Sequence, residues 1–334
     1  MGTLQSESTL EHRKLQKLSP SRAKLFVQCP KRFYYETILE LSAPSTIPTA
    51  KGTLAHHAFE RVFDHPRSER DHDTAISYVR PAWDVMTDPL RSITETSSES
   101  PEWRIRKSNG LYREAVEENS IQEMKLLNSA NEYINLFPQQ PTHLLEEFLK
   151  ETESLVSSWF KMETPSKFDP LERELYLLSE ISGMQVHGYI DRLDLTKSKE
   201  GKNLYWISDY KTGKPPHQKY QDDAFFQLEV YALLVREHYG ETPHMLRLIY
   251  VREGHPDYVL KRKVTKELLE KTRVKVKSII NGINKSYKNN NWLPKPQVLC
   301  GWCPFKPVCP AHNEENANLT VLEIASLTGT TKYN

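Results

Sequence analysis

Two strand-like segments after Pro170 constrain this chain more than anything else in it. MQVHGYIDRLDL (184–195) and NLYWISDYK (203–211) are short, rich in β-branched and aromatic residues, and joined by the turn-like TKSKEGK. ERELYLLSE precedes them with the same character. The helix-patterned DDAFFQLEVYALLVREHY follows, with Asp222 or Asp223 as its cap. Strands HMLRLIYVRE and DYVLKRKV come next, then a basic helix from about 265 to 287. Helix, hairpin, helix, strands and helix predict an α/β fold, a mixed central sheet flanked by helices.

At 334 residues the chain is long enough for one large domain or two ordinary ones, and it holds no internal repeat. LSPSRAKLFVQCPKRFYYETILEL (18–41) reads as a helix, with Ser19 placed to cap and Pro20 in the first turn. KGTLAHHAFERVF (51–63) starts a second. Residues 64–168 differ in kind: they are charged and broken by HPRSER, TETSSESPEW and FPQQPTH. Between those breaks lie amphipathic patterns such as LYREAVEENSIQEMKLLNSANEYINLF. They predict a helical insertion in a core built from 18–63 and 169–310. Residues 1–17 are expected to be disordered and 311–334 to form a tail.

An apolar fraction of 38% supports a core, and 27% charge favours solubility. No apolar run of about 18 residues occurs, which argues against a membrane span. The polar N-terminus lacks the apolar run of a signal peptide, so a cytoplasmic location with reduced thiols is expected. Net charge is only +1, but ten Lys or Arg crowd residues 261–290 against Glu267 and Glu270. That run reads either as a solvated helix face or as a track for a phosphate backbone.

Alternation along LYWISDYK puts Tyr205, Ile207, Asp209 and Lys211 on one face. Asp209 with Lys211 is either a surface ion pair or the start of a site. Asp191 lies eighteen residues earlier on the preceding strand, so the hairpin can bring the two carboxylates within a few ångströms. Carboxylates that close repel, and a divalent cation relieves the repulsion. Lys211 would then serve an attacking water or stabilise transition-state charge. Asp194 is the competitor for Asp191 but projects from the opposite face. Gln227 and Tyr231 share a helical face at i,i+4, as a chance pair in the core or as support for the site. His56 is a candidate ligand or a packed histidine, and His57 projects elsewhere.

The cysteines raise a separate question. Cys300, Cys303 and Cys309 fall within ten residues, whereas Cys29 lies 271 positions earlier. In a reducing compartment metal binding explains them better than disulfides. Zinc usually draws on two local C-x2-C pairs, and only one is present; three clustered thiolates plus a remote one look more like an iron–sulfur ligand set.

Gly52-x-x-x-His56, Gly188-x-x-Asp191, Asp209-Tyr-Lys211-Thr-Gly and Gln227-x-x-x-Tyr231 occur in this order. The ordered set resembles the RecB-like nucleases of the PD-(D/E)XK superfamily, over residues 18–63 and 172–310. The resemblance implies a restriction-endonuclease-like core and metal-dependent cleavage of DNA. His56, Asp191, Asp209 and the Tyr210 carbonyl would hold Mg2+ or Mn2+, and Lys211 would serve the water. Gln227 and Tyr231 would support the site or the strand, with Glu174 as a further acidic member. AddB-type and CRISPR-associated members carry a similar cysteine arrangement around a [4Fe-4S] cluster, which here would be held by Cys29, Cys300, Cys303 and Cys309. Such a cluster would clasp the two ends of the chain together.

The implied function is an exonuclease on single-stranded DNA or duplex ends in repair or recombination. One alternative is prespacer trimming beside Cas proteins; another is a non-catalytic DNA-binding subunit of a helicase–nuclease complex. No GxxxxGK[ST] loop is present, so any helicase would be a separate partner.

Overall fold

The structure is a computed structural model that describes residues 15–43, 46–87, 142–313, 315 and 319–332. Its strands are β1 (Lys17–Leu18), β2 (Leu41–Ser42), β3 (Glu172–Ile181), β4 (Met184–Lys197), β5 (Asn203–Lys211), β6 (Met245–Tyr250), β7 (Val259–Lys263) and β8 (Thr331–Lys332). The longer helices are α1 (Pro20–Gln28), α2 (Ile47–Arg61), α3 (Val79–Thr87), α4 (Thr142–Met162), α5 (Gln221–Tyr239), α6 (Lys266–Lys288) and α7 (Val321–Thr328). The chain divides into two compact units, one of residues 45–179 and 187–274, the other of 1–44, 180–186 and 275–334. No helix among the described residues is long and apolar enough to cross a membrane.

The larger unit carries the mixed sheet. β4 and β5 pair antiparallel from Arg192↔Ser208 to Lys197↔Asn203. β5 and β6 run parallel, Trp206↔Met245 to Lys211↔Tyr250, and β7 closes antiparallel on β6. A strand with a parallel neighbour is covered on both faces, and residues 207–210 of β5 are all buried. One face meets α5, whose residues 230–235 are buried without interruption. On the other face Tyr210 and Ile249 join an aromatic core with Phe59 of α2, Trp83 of α3, and Phe148 and Trp159 of α4. The helices α3 and α4, which lie within the span expected as an insertion, pack on α2. The LYREAVEENSIQEMKLLNSANEYINLF segment lies outside the described residues.

In the smaller unit β1 pairs parallel with Gln185 and Val186. The turn between β3 and β4 is Ser182-Gly183, with φ of 54° and 80°, the double positive-φ geometry that a two-residue hairpin needs. Ser19 caps α1 by accepting from Arg22 N, with Pro20 in the first turn. The single helix expected over 18–41 does not form, however. Cys29 is extended at φ −160°, because the Pro30 ring bars the residue before it from helical backbone. β2 pairs antiparallel with β8, Leu41↔Lys332. A Thr320–Glu323 capping box opens α7, which buries Ile324 among Tyr35, Leu39, Leu41, Phe305 and Val308.

The four-cysteine iron–sulfur centre and its clasp are not borne out. Cys29, Cys300, Cys303 and Cys309 are free, half-buried thiols that line one cavity. Their sulfurs do not converge into a metal-ligand group; among the described residues that convergence occurs at His56, Glu174 and Asp191 instead. Burial also pushes the Cys303 and Cys309 thiols up, away from the thiolate that a metal ligates. Ordinary contacts join the two chain ends. Lys295 Nζ donates to Val27 O at 3.1 Å, Gln297 Nε2 to Gln28 O at 3.0 Å, and Trp292 stacks on Phe33 and Tyr34.

Candidate metal centre

Three elements each supply one side chain that could hold a metal ion. His56 comes from α2, Glu174 from β3 and Asp191 from β4, and their ligand atoms all lie within 4.8 Å of one another. His56 Nδ1 is 3.4 Å from Asp191 Oδ2. Where the β4–β5 ladder ends, the Asp191 side chain takes over from it: Oδ2 accepts from Tyr210 N at 2.8 Å. That bond fixes a carboxylate at the mouth of the splayed hairpin. Glu174 is 2% exposed and sits at φ 45°, a left-handed backbone that non-glycine residues adopt at a cost of about 1–3 kcal/mol. The site thus includes a strained strand residue whose carboxylate is turned inward.

Electrostatics point the same way. The Asp191 carboxyl is pushed well above the ordinary range, first by burial, then by the charges of Asp209 and Glu174. Lys211 and the Tyr210 N–H pull against that rise without cancelling it. Crowded, desolvated carboxylate oxygens beside an imidazole make a donor set that fits a divalent cation, whose charge removes the repulsion.

Lys211 stands at the end of β5, with Nζ 2.6 Å from Asp209 Oδ2. It donates to Gln227 Oε1 at 3.3 Å, and Gln227 Nε2 donates to the Tyr231 hydroxyl at 2.8 Å. Burial would lower the ammonium pKa, but Asp209 and Asp191 outweigh it and hold the group above its usual value. Tyr231 in turn packs closely against Gly188. A Cβ there would sit 2.3 Å from Tyr231 Cε1, so only glycine lets β4 and α5 approach this closely. Two separate sequence motifs meet in that contact.

Behind the carboxylates lies a network that the sequence reading missed. Arg192 binds Glu163 through two nitrogens, at 2.7 and 2.8 Å, and also donates to the Tyr210 hydroxyl and to Asp194. Trp159 Nε1 donates to Glu163 Oε2 at 2.9 Å. The one signal available was an arginine inside an otherwise strand-like GYIDRLDL. Asp194 is held by Arg192 and Arg247, on the side of β4 away from Asp191. His57 is buried in the core, where desolvation holds its pKa at about 4 and keeps it neutral. Asp209 is buried next to the ligand group without belonging to it.

A family model described as the PD-(D/E)XK nuclease superfamily matches residues 17–310. No curated protein matches the sequence. Among solved structures, a candidate exonuclease from Eubacterium rectale aligns at 12% identity with a TM-score of 0.42, covering 96% of each chain. The protein SSO0001 aligns at 17% identity with a TM-score of 0.28, over 69% of this chain and 85% of its own.

Proposed function

Because the chain belongs to the PD-(D/E)XK nuclease superfamily, we propose that it is a divalent-metal-dependent deoxyribonuclease that acts as an exonuclease on DNA ends. The observation that carries this reading is the convergence of His56, Glu174 and Asp191 beside the Asp209–Lys211 pair. His56, Asp191 and Glu174 would hold Mg2+ or Mn2+, while Asp209, outside that group, holds Lys211. When bound, such an ion polarises a phosphoryl oxygen and acidifies water.

The chain's own groups do the rest. Asp209 and Gln227 fix Lys211 Nζ, and the surrounding carboxylates keep it protonated. A charged ammonium suits orienting the attacking water and neutralising charge that builds on the phosphate, rather than abstracting a proton. Tyr231 holds Gln227, which holds Lys211; the helix therefore sets the position of the strand's reactive group.

The test is degradation of 5′- and 3′-labelled linear DNA, with circular DNA alongside, in Mg2+ or Mn2+. Wild type should shorten linear DNA and spare circles, and Lys211→Ala should lose at least about a hundredfold in rate. Equal degradation by wild type and Lys211→Ala would mean a contaminant, leaving a non-catalytic DNA-binding role.

A further inference from the structure

We propose that the loop 212–220, strung between Lys211 and α5, seats the unpaired end of the substrate: Tyr220 stacks on a base while Lys214 and Lys219 hold the flanking phosphates. The inference rests on the nuclease reading above and narrows its substrate to a single-stranded DNA end.

Chain geometry puts this loop at the site. It starts one residue after Lys211 and ends where α5 begins, six residues before Gln227. Lys211 and Gln227 are hydrogen-bonded to each other, so the loop leaves from Lys211 and returns about two helical turns before that residue's partner. Residues 210–221 contain three lysines and no Asp or Glu. Among the described residues neither Lys214 nor Lys219 makes an ion pair, and both are exposed. The first carboxylate beyond the loop, Asp222, is paired with Arg262, which also binds Glu229 at 2.6 Å and lies over the Phe225 ring.

Tyr220 is the unusual member. It is 54% exposed, and among the described residues its one ring contact is Lys219 Nζ, 4.8 Å from the centroid. An exposed aromatic ring with a lysine over it, six residues from a second exposed lysine, matches the pattern of a single-strand platform, in which stacking is indifferent to sequence. Internal base pairs hide both faces against their neighbours and a duplex end exposes one face of its last pair, whereas every unpaired base can offer a face to this ring. Pro215 and Pro216 restrict the backbone, and the His217 ring accepts from Lys219 N at 3.4 Å. The loop is thus ordered in advance, which lowers the entropy lost on binding.

The experiment compares the full-length wild type with Tyr220→Ala, Tyr220→Phe and Lys214→Ala/Lys219→Ala. Binding is read by fluorescence anisotropy without divalent metal, and KM and kcat in Mg2+, each on a single-stranded oligonucleotide and a blunt duplex. Tyr220→Ala should weaken single-strand binding and raise KM about five- to a hundredfold, with the loss in KM rather than kcat. Tyr220→Phe, which keeps the ring, should restore both. The double lysine variant should weaken binding to both DNAs and flatten its salt dependence. Unchanged single-strand binding in Tyr220→Ala would overturn the proposal, as would an equal loss on the blunt duplex. Failure of the nuclease reading looks different: Lys211→Ala would then degrade DNA as wild type does, while the anisotropy arm still reads the loop.

Discussion

Arg192 is 1% exposed, and its charge is shared among Glu163, Tyr210 and Asp194. A buried ion pair is poor evidence of net stabilisation, but removing one partner strands the other charge in the core. Burial pushes the Glu163 carboxyl up, yet the Arg192 guanidinium, by charge and by hydrogen bond, more than reverses this and holds its pKa at about 2. Unfolded, the group titrates near 4.5. The ionised pair therefore stabilises the fold in full above about pH 4.5, and its contribution is lost as pH falls from there to about 2. Glu163→Gln should cost about 3–5 kcal/mol at pH 7 and flatten the acid limb of the stability curve across that window. Denaturant melts at pH 7, 4 and 3 would check both. A variant as stable as wild type at pH 7 would mean that Arg192 finds another partner.

Between elements, the β4–α5 contact at Gly188 and Tyr231 tests how the helix positions the strand. Gly188→Ala must push the Tyr231 ring aside, because the added Cβ falls well inside contact distance. Overpacking of this kind costs about 1–3 kcal/mol. The displaced hydroxyl also leaves Gln227 and slackens its hold on Lys211. Cleavage by Gly188→Ala should fall by more than its thermal destabilisation accounts for, measured well below the melting temperature. Unchanged kcat in a destabilised variant would separate the helix from the chemistry. The same elements show what the sequence made legible. Period-two alternation in β5 was enough to place Asp209 and Lys211 together, and chain order was enough for the mixed sheet. Glu174 could only be held as a loose candidate, because its inward turn depends on a left-handed backbone angle that no residue pattern encodes. Glu163, just past the end of α4, and Arg192 on β4 are 29 residues apart, so their pairing exists only in the packed fold. The cysteine spacing suggested a ligand set, but spacing does not determine whether sulfurs converge, and these share a cavity without doing so.

At the scale of the molecule the question is where the charge lies. Lysine plus arginine nearly equal aspartate plus glutamate, 45 to 44, yet residues 271–313 contain seven lysines, one arginine and no acid. The remainder of the chain is therefore net negative, and the positive charge is local. Val276, Ile279, Ile280 and Ile283 bury one face of α6, which leaves Lys275, Lys277, Lys285 and Lys288 exposed. A solvated face and a phosphate track differ in one measurable respect. Cations that contact phosphates displace condensed counterions, so each adds about 0.7 to the slope of log affinity against log salt on single strands. Replacing all four lysines by alanine should lower that slope by about 2–3 if most of them touch DNA. It should weaken binding uniformly across sequences and leave turnover at saturating DNA unchanged, because none of the four is among the groups that meet at His56, Glu174, Asp191 and Lys211. A slope equal to that of wild type would make α6 a solvated helix and would leave the lysines of the 212–220 loop to supply the electrostatic attraction.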